Sequence, residues 1–186
     1  MDSPELQAEL ERHHQASYGW ALSCCSRDSH QAESVLQTVY LKILEGKARF
    51  DGKSSFRTWL FAVIRKTAAD ERRRNLLTRL RLTRHEQDTM QNATAERPDE
   101  MIYRTQIQAL FRQALAALPK RQREVLELVF YHDLSLAEAA EVMGVSIGSA
   151  RTHYDRGKKR LRQWLNESEV LNESRAGRKQ DQRAIP

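Results

Sequence analysis

The stretch LSLAEAAEVMGVSIGSARTHYDRGKKRLRQW, Leu134–Trp164, decides how the chain folds. Ser135 followed three residues later by Glu138 is a capping box, in which each residue satisfies a backbone N–H that the start of a helix leaves orphaned. Ala139 and Ala140 leave room for a second helix to cross closely. Gly144 suits the left-handed conformation that ends a helix, and Ser146 suits the cap of the next. The spacing therefore predicts a short Ala-rich helix, a glycine turn and a longer helix. Ala150 and Tyr154 are expected to face inward on that longer helix, with Arg151, Thr152, Asp155, Arg156 and Lys159 facing outward.

Three readings fit such a unit: a DNA reader, an RNA binder, or a plain helical hairpin with a solvated face. A hairpin could show any one of the cap, the small residues, the turn glycine or the one-sided charge. All four together match the helix-turn-helix, whose second helix enters the major groove.

Charge supports a polyanion partner. The 186 residues carry a formal net charge of +6, and the excess sits in two places. Eight basic residues lie between Arg65 and Arg84 and six between Arg151 and Arg162, while the remainder is near neutral or acidic. Two separated basic stripes suit a long, negatively charged ligand better than generally solvated faces do.

Elsewhere the pattern is helical. Only seven glycines and four prolines are available for turns, which disfavours a sheet protein. Helices are expected from Leu6 to about Cys25, from Ser29 to Glu45 with Gly46 as C-cap, and from Ser54 or Ser55 into the first basic cluster. Val35, Leu36, Val39, Tyr40, Ile43 and Leu44 give the second helix a wide apolar stripe. Trp59 in the third reads as core packing. From Asn75 to Glu100 the apolar period fades into HEQDTMQNATAERPDE, which reads as a linker. Ile102, Ile107, Leu110, Phe111, Leu115 and Leu118 open a second helical segment, and Arg121 to Tyr131 forms another beyond Pro119. The expected fold is all-α: two small helical domains, 1–75 and 101–165, a flexible linker at 76–100, and a disordered tail at 166–186.

Several functions lose support. The chain has no G-x-x-x-x-G-K, G-x-G-x-x-G, H-E-x-x-H or nucleophile elbow. Adjacent His13 and His14 cannot readily present both rings to one metal, and adjacent Cys24 and Cys25 form neither a disulfide framework nor a metal spacing. No catalytic residue, metal or cofactor is therefore assigned. No apolar run approaches the ~18 residues of a membrane span, and no signal-peptide pattern is seen, so a soluble cytoplasmic protein is expected.

The segment ALAALPKRQREVLELVFYHDLSLAEAAEVMGVSIGSARTHYDRGKKRLR (114–162) resembles the −35-reading domain of bacterial RNA polymerase sigma factors of the extracytoplasmic-function group. RFDGKSSFRTWLFAVIRKTAADERRR (49–74) resembles the −10-reading domain of the same family. The likeness runs from about residue 8 to 165, with both motifs in order. It implies an initiation factor that binds core RNA polymerase and promoter DNA, has an anti-sigma partner, and inserts into no membrane. It places Ser146, Gly148, Arg151, Thr152, Asp155, Arg156 and Lys159 at the −35 element. Phe50, Ser54, Arg65, Lys66 and Arg72, Arg73 and Arg74 fall at the −10 element, and Glu33, Leu36, Val39, Tyr40 and Ile43 on polymerase. Gln31, Ser34 and Thr38 stand where relatives are commonly acidic, and Lys66 where many have Asn. Asp155 replaces an aromatic or basic residue and Val129 an Arg. Asp155 has two readings: acceptor from cytosine N4, or partner of Lys158 or Lys159 on its own helix.

The competing functions are a stand-alone helix-turn-helix regulator and an interaction protein that sequesters another factor. Neither explains a second basic cluster with loop aromatics in the first domain.

Overall fold

The computed structural model describes residues 3–82 and 111–167, which are helices and turns with no strand among the described residues. Three helices form the first domain: α1 (Ser3–Cys24), α2 (Ser29–Leu44) and α3 (Phe56–Leu82). Residues 111–116 are helical and lead through Pro119 to α4 (Lys120–Phe130), α5 (Leu136–Met143) and α6 (Ile147–Glu167).

Local chemistry sets the helix ends. Asp28 caps α2 by accepting from Gln31 N at 3.0 Å. Beyond α2, Gly46 takes φ +69° and donates its N–H to Ile43 O, a conformation that costs a residue bearing a Cβ 1–2 kcal/mol or so. Of the two candidate serines, Ser55 caps α3, its Oγ accepting from Thr58 N at 3.1 Å.

In the first domain Trp20 of α1, Val35 and Val39 of α2, and Leu60, Phe61 and Ile64 of α3 are wholly or almost wholly buried. The indole of Trp20 donates to Phe61 O at 3.0 Å, so the one polar atom of that side chain enters the core satisfied. Cys24 and Cys25 are free, buried thiols. Burial pushes both upward, Cys25 to about 11, so neither is a ready thiolate. In the second domain Val125, Leu126 and Leu128 of α4 meet Ala139, Val142 and Met143 of α5 and Ala150 and Leu161 of α6.

Two features differ from the sequence reading. First, α3 runs through the basic cluster to Leu82, so the helix passes the expected boundary at residue 75. Nothing between Asn75 and Leu82 breaks a helix, and Leu, Arg and Asn are tolerated there. The apolar period fades because the helix leaves the core, exposing Leu76 and Leu77 at 57% and 51%. Second, the two domains touch, and their buried residues form one continuous cluster. The expected linker core, 83–100, the apolar positions Ile102, Ile107 and Leu110, and the tail beyond Glu167 lie outside the described residues.

Candidate nucleic-acid interface

The second domain builds its helix-turn-helix as the local signals require. Ser135 Oγ accepts from Glu138 N at 3.3 Å, and Glu138 Oε2 accepts from Ser135 N at 2.9 Å, which completes the capping box of α5. These hydrogen bonds from Ser135 hold the Glu138 carboxyl below its ordinary range. Gly144 ends α5 at φ 62° and ψ 43°, and its N–H reaches the carbonyls of Ala140 and Glu141. Ser146 Oγ then accepts from Ser149 N at 3.2 Å at the start of α6.

On α6, Ala150 and Leu161 are buried, and Gly157 approaches α4 closely. That contact fixes the roll of the helix. Ser146, Gly148, Arg151, Thr152, Asp155, Arg156 and Lys159 are all exposed. Thr152 Oγ1 is held by Gly148 O at 2.9 Å. Tyr154, expected inside, is half-buried, stacked on Phe130 with centroids 6.0 Å apart. Lys158 Nζ lies 5.0 Å above the same ring. Asp155 makes no ion pair to Lys158 or Lys159 in the structure, so its carboxylate stays available as an acceptor.

The first domain presents a loop and a basic helix. Phe50, half-buried, packs against Phe56 and Trp59 with centroids at 5.5 and 5.4 Å. At the loop tip Lys53 Nζ pairs with Asp51 at 2.8 Å, which lowers the aspartate and raises the lysine. Ser54 is partly exposed, and Lys66, Arg73 and Arg74 are exposed. Two residues of the expected set have other partners here. Arg72 donates to Cys24 O at the end of α1, where a cation complements the helix dipole. Arg65 Nη2 lies 3.4 Å from Glu124 Oε2 of the second domain.

Along α2 the expectation needs correcting. Val39 and Ile43 are 0% and 3% exposed and belong to the domain's own core, so their side chains cannot face a partner. Leu36, at 4%, forms the floor of a groove of about 460 Å³ with Glu33, Gln37, Tyr40, His14 and Tyr18. A neighbouring groove of about 360 Å³ is lined by Leu10, His14, Tyr40 and Leu44. Tyr40 Oη lies 3.0 Å from His14 Nδ1 between them. Leu41 and Leu44 stand exposed nearby, at 58% and 59%; Leu44 was read only as part of the apolar stripe, and Leu41 was not singled out. Their only signal was that the apolar stripe is wider than one core face needs.

Among the described residues no cluster of His, Cys, Asp or Glu is fit to hold a metal, and no helix is long and apolar enough to cross a membrane. The molecule so built carries a helix-turn-helix in its second domain and a basic helix beside an aromatic loop in its first.

Family models narrow that description. Sigma-70 region 2 matches residues 10–77, and sigma-70 region 4 matches residues 108–161. The chain is 30% identical over 185 residues to the extracytoplasmic-function sigma factor SigX of Bacillus subtilis, covering 97% of this chain and 95% of that one. It is also 30% identical over 138 residues to the sigma factor YlaC of the same organism, covering 74% and 79%. Among solved structures, the sigma factor RpoE in complex with the anti-sigma factor NepR, from Bartonella quintana, aligns with a TM-score of 0.66. That alignment has 22% identity and covers 88% of this chain and 98% of that one. CnrH in complex with the cytosolic domain of CnrY aligns at 0.60, with 22% identity over 90% and 92%. The chain belongs to the RNA polymerase sigma factors of the sigma-70 family, in their extracytoplasmic-function group. It is a transcription initiation factor that binds core RNA polymerase and directs it to promoters by reading −10 and −35 elements.

Proposed function

We propose the following division of labour for that activity. The N-terminal part of α6 reads the −35 element: Arg151 and Arg156 donate to guanine edges or phosphates, Asp155 accepts from a cytosine amino group, and Ser146, Gly148, Thr152 and Lys159 complete the contact. The −10 element is opened against the Phe50–Ser54 loop, with an unstacked base held by that loop and Arg65, Lys66, Arg73 and Arg74 on the backbone. Arg72 supports α1 as well as DNA. Polymerase occupies the grooves between α1 and α2, contacting Glu33, Leu36 and Tyr40 together with Gln37, Leu41 and Leu44.

The observation that carries this reading is the single outward face of α6. Five long or polar side chains share it, held in register by Gly157 against α4. The first domain extends to the end of α3 and the second to about residue 165. The factor carries no catalytic residues and works in the cytoplasm. An anti-sigma protein is the natural regulator, as the complex of RpoE with the anti-sigma factor NepR suggests.

Reconstitution tests it. Core polymerase, the purified chain and a pool of genomic promoter fragments are combined, and transcripts are mapped at their 5′ ends. Defined starts that need the chain and weaken with Arg151→Ala and Arg156→Ala support the assignment. Tight, salt-sensitive duplex binding by the chain alone, without effect on polymerase, would favour a stand-alone regulator.

A further inference from the structure

The contacts between the two domains join parts that the proposed function needs apart. Elements labelled −35 and −10 are about 25 base pairs apart, about 85 Å along the axis at 3.4 Å per step. A fully compact chain of this length has a radius of gyration of only about 16 Å. A form in which the domains share one core cannot reach both elements.

The interface is built from complementary groups. Glu124 and Glu127, three residues apart on α4, point at the first domain and are 6% and 5% exposed. Arg65 of α3 meets Glu124 at 3.4 Å, and Arg27, in the turn after α1, meets Glu127 at 4.0 Å. Thr58 Oγ1 of α3 donates to Glu138 Oε1 of α5 at 3.4 Å. Between these, His132 inserts edge-on against Phe61 and Trp20, with centroids 4.9 and 5.8 Å away. Gly19 of α1 lies beside it, where a Cβ would sit 3.7 Å from the His132 ring, in ordinary contact.

Such a joint is made to part. The ion-pair distances are long, and Arg65 Nε is buried with no hydrogen-bond partner. A buried pair of this kind adds little net stability while specifying which surfaces meet. Meanwhile the outward face of α6 and Lys66, Arg73 and Arg74 of α3 stay exposed, so of the basic groups proposed for DNA the joint engages Arg65 alone.

We infer that the second domain is a self-latch: α4 and His132 hold the chain closed without any partner, and Glu124 occupies Arg65 until the domains separate. Arg65 cannot serve Glu124 and a DNA phosphate at once, so promoter opening by the first domain requires release of the latch. That last consequence rests on the −10 role proposed for Arg65; the latch itself does not.

Small-angle X-ray scattering of the full chain alone tests the latch, with far-UV circular dichroism to check helicity. The wild type is compared with Arg27→Glu, His132→Asp, Arg65→Glu and the exchange Arg65→Glu with Glu124→Arg. The three single variants should keep their helicity and gain several ångströms in radius of gyration, and the exchange should regain the wild-type value. Equal radii in all five proteins, or a wild type as extended as the single variants, would overturn the latch. Should His132→Asp or Arg65→Glu lose helicity, Arg27→Glu decides alone, since Arg27 is about half exposed on a turn. No polymerase or promoter enters the measurement, so a failed latch leaves the transcription reading standing, and a failed reconstitution leaves the latch standing.

Discussion

Gly157 of α6 sits so near Leu126 of α4 that a Cβ added to it would lie 3.0 Å from Leu126 Cδ1. Gln122 Cβ and O would each be 3.3 Å away. Replacing glycine by alanine inside a helix ordinarily stabilises by up to about 1 kcal/mol. Here Leu126 is fully buried and Gln122 O is backbone, so neither yields easily. Gly157→Ala should therefore destabilise the second domain by about 1–3 kcal/mol, measured as a lower urea midpoint. A raised midpoint would show that α6 can shift outward without cost.

The start and end of α5 give a second expectation. Ser135→Ala removes the hydroxyl arm of the capping box, keeps the backbone N–H bond to Glu138 Oε2, and should cost about 1 kcal/mol. Gly144→Ala forces a Cβ into φ 62° and should cost about 1–2 kcal/mol, although nothing lies within 4 Å of the added atom. Thermal denaturation of the two variants checks the order.

His132 makes the domain contact sensitive to acid. Burial first, and then the Arg57 guanidinium, lower it to about 4, with Asp133 opposing. Because this lies below the ordinary value of a free histidine, about 6.5, the contribution is intact above pH ~6.5 and is lost as pH falls towards 4. The loss is on the order of 2 kcal/mol once partial exposure is allowed for. Glu127, raised by its own burial, works the other way, since its protonation favours the buried form. Glu138, held low, adds to the loss at the acid end. Between pH 7 and 4.5 the stability of the wild type should fall more steeply than that of His132→Gln. Parallel profiles would show that His132 is not the group responsible.

On DNA, loss of either Arg151 or Arg156 should weaken initiation at −35-dependent promoters roughly tenfold or more, and relax preference at one base position if the contact is to guanine. Lys159→Ala should instead weaken binding of the holoenzyme evenly across sequences and lower its salt slope by about one. Filter binding across a salt series separates the two.

Leu41→Asp and Leu44→Asp place charges on the exposed face of α2 and leave the core untouched. Affinity for core polymerase should drop at least tenfold with no change in melting. Unchanged affinity would move the polymerase surface elsewhere.

The second domain was the more legible. Ser135, Glu138, Gly144 and Ser146 act within three or four residues of themselves, so their spacing states their geometry. The wide stripe of α2 was legible as a stripe and not as a face. Whether Val39 or Leu41 turns inward depends on where α1 and α3 lie, which no local spacing records. Arg65 and Arg72 read as DNA contacts by charge alone, while their partners Glu124 and Cys24 O lie 59 and 48 residues away in sequence. His132 gave no signal, because its environment comes from Trp20 and Phe61 of the other domain.

The joint between the domains also sets a dose. A protein that binds its partner only when open has its apparent affinity reduced by the open fraction. A closing free energy of about 2 kcal/mol leaves about 3% open and raises the apparent dissociation constant for the −10 element about thirtyfold. Few copies of such a factor would remain silent by themselves, and transcription would begin only when their number climbed past that threshold. The carboxylates of Glu124 and Glu127 would then act as the setting of a dial, shifting how much factor a cell must make before its promoters fire.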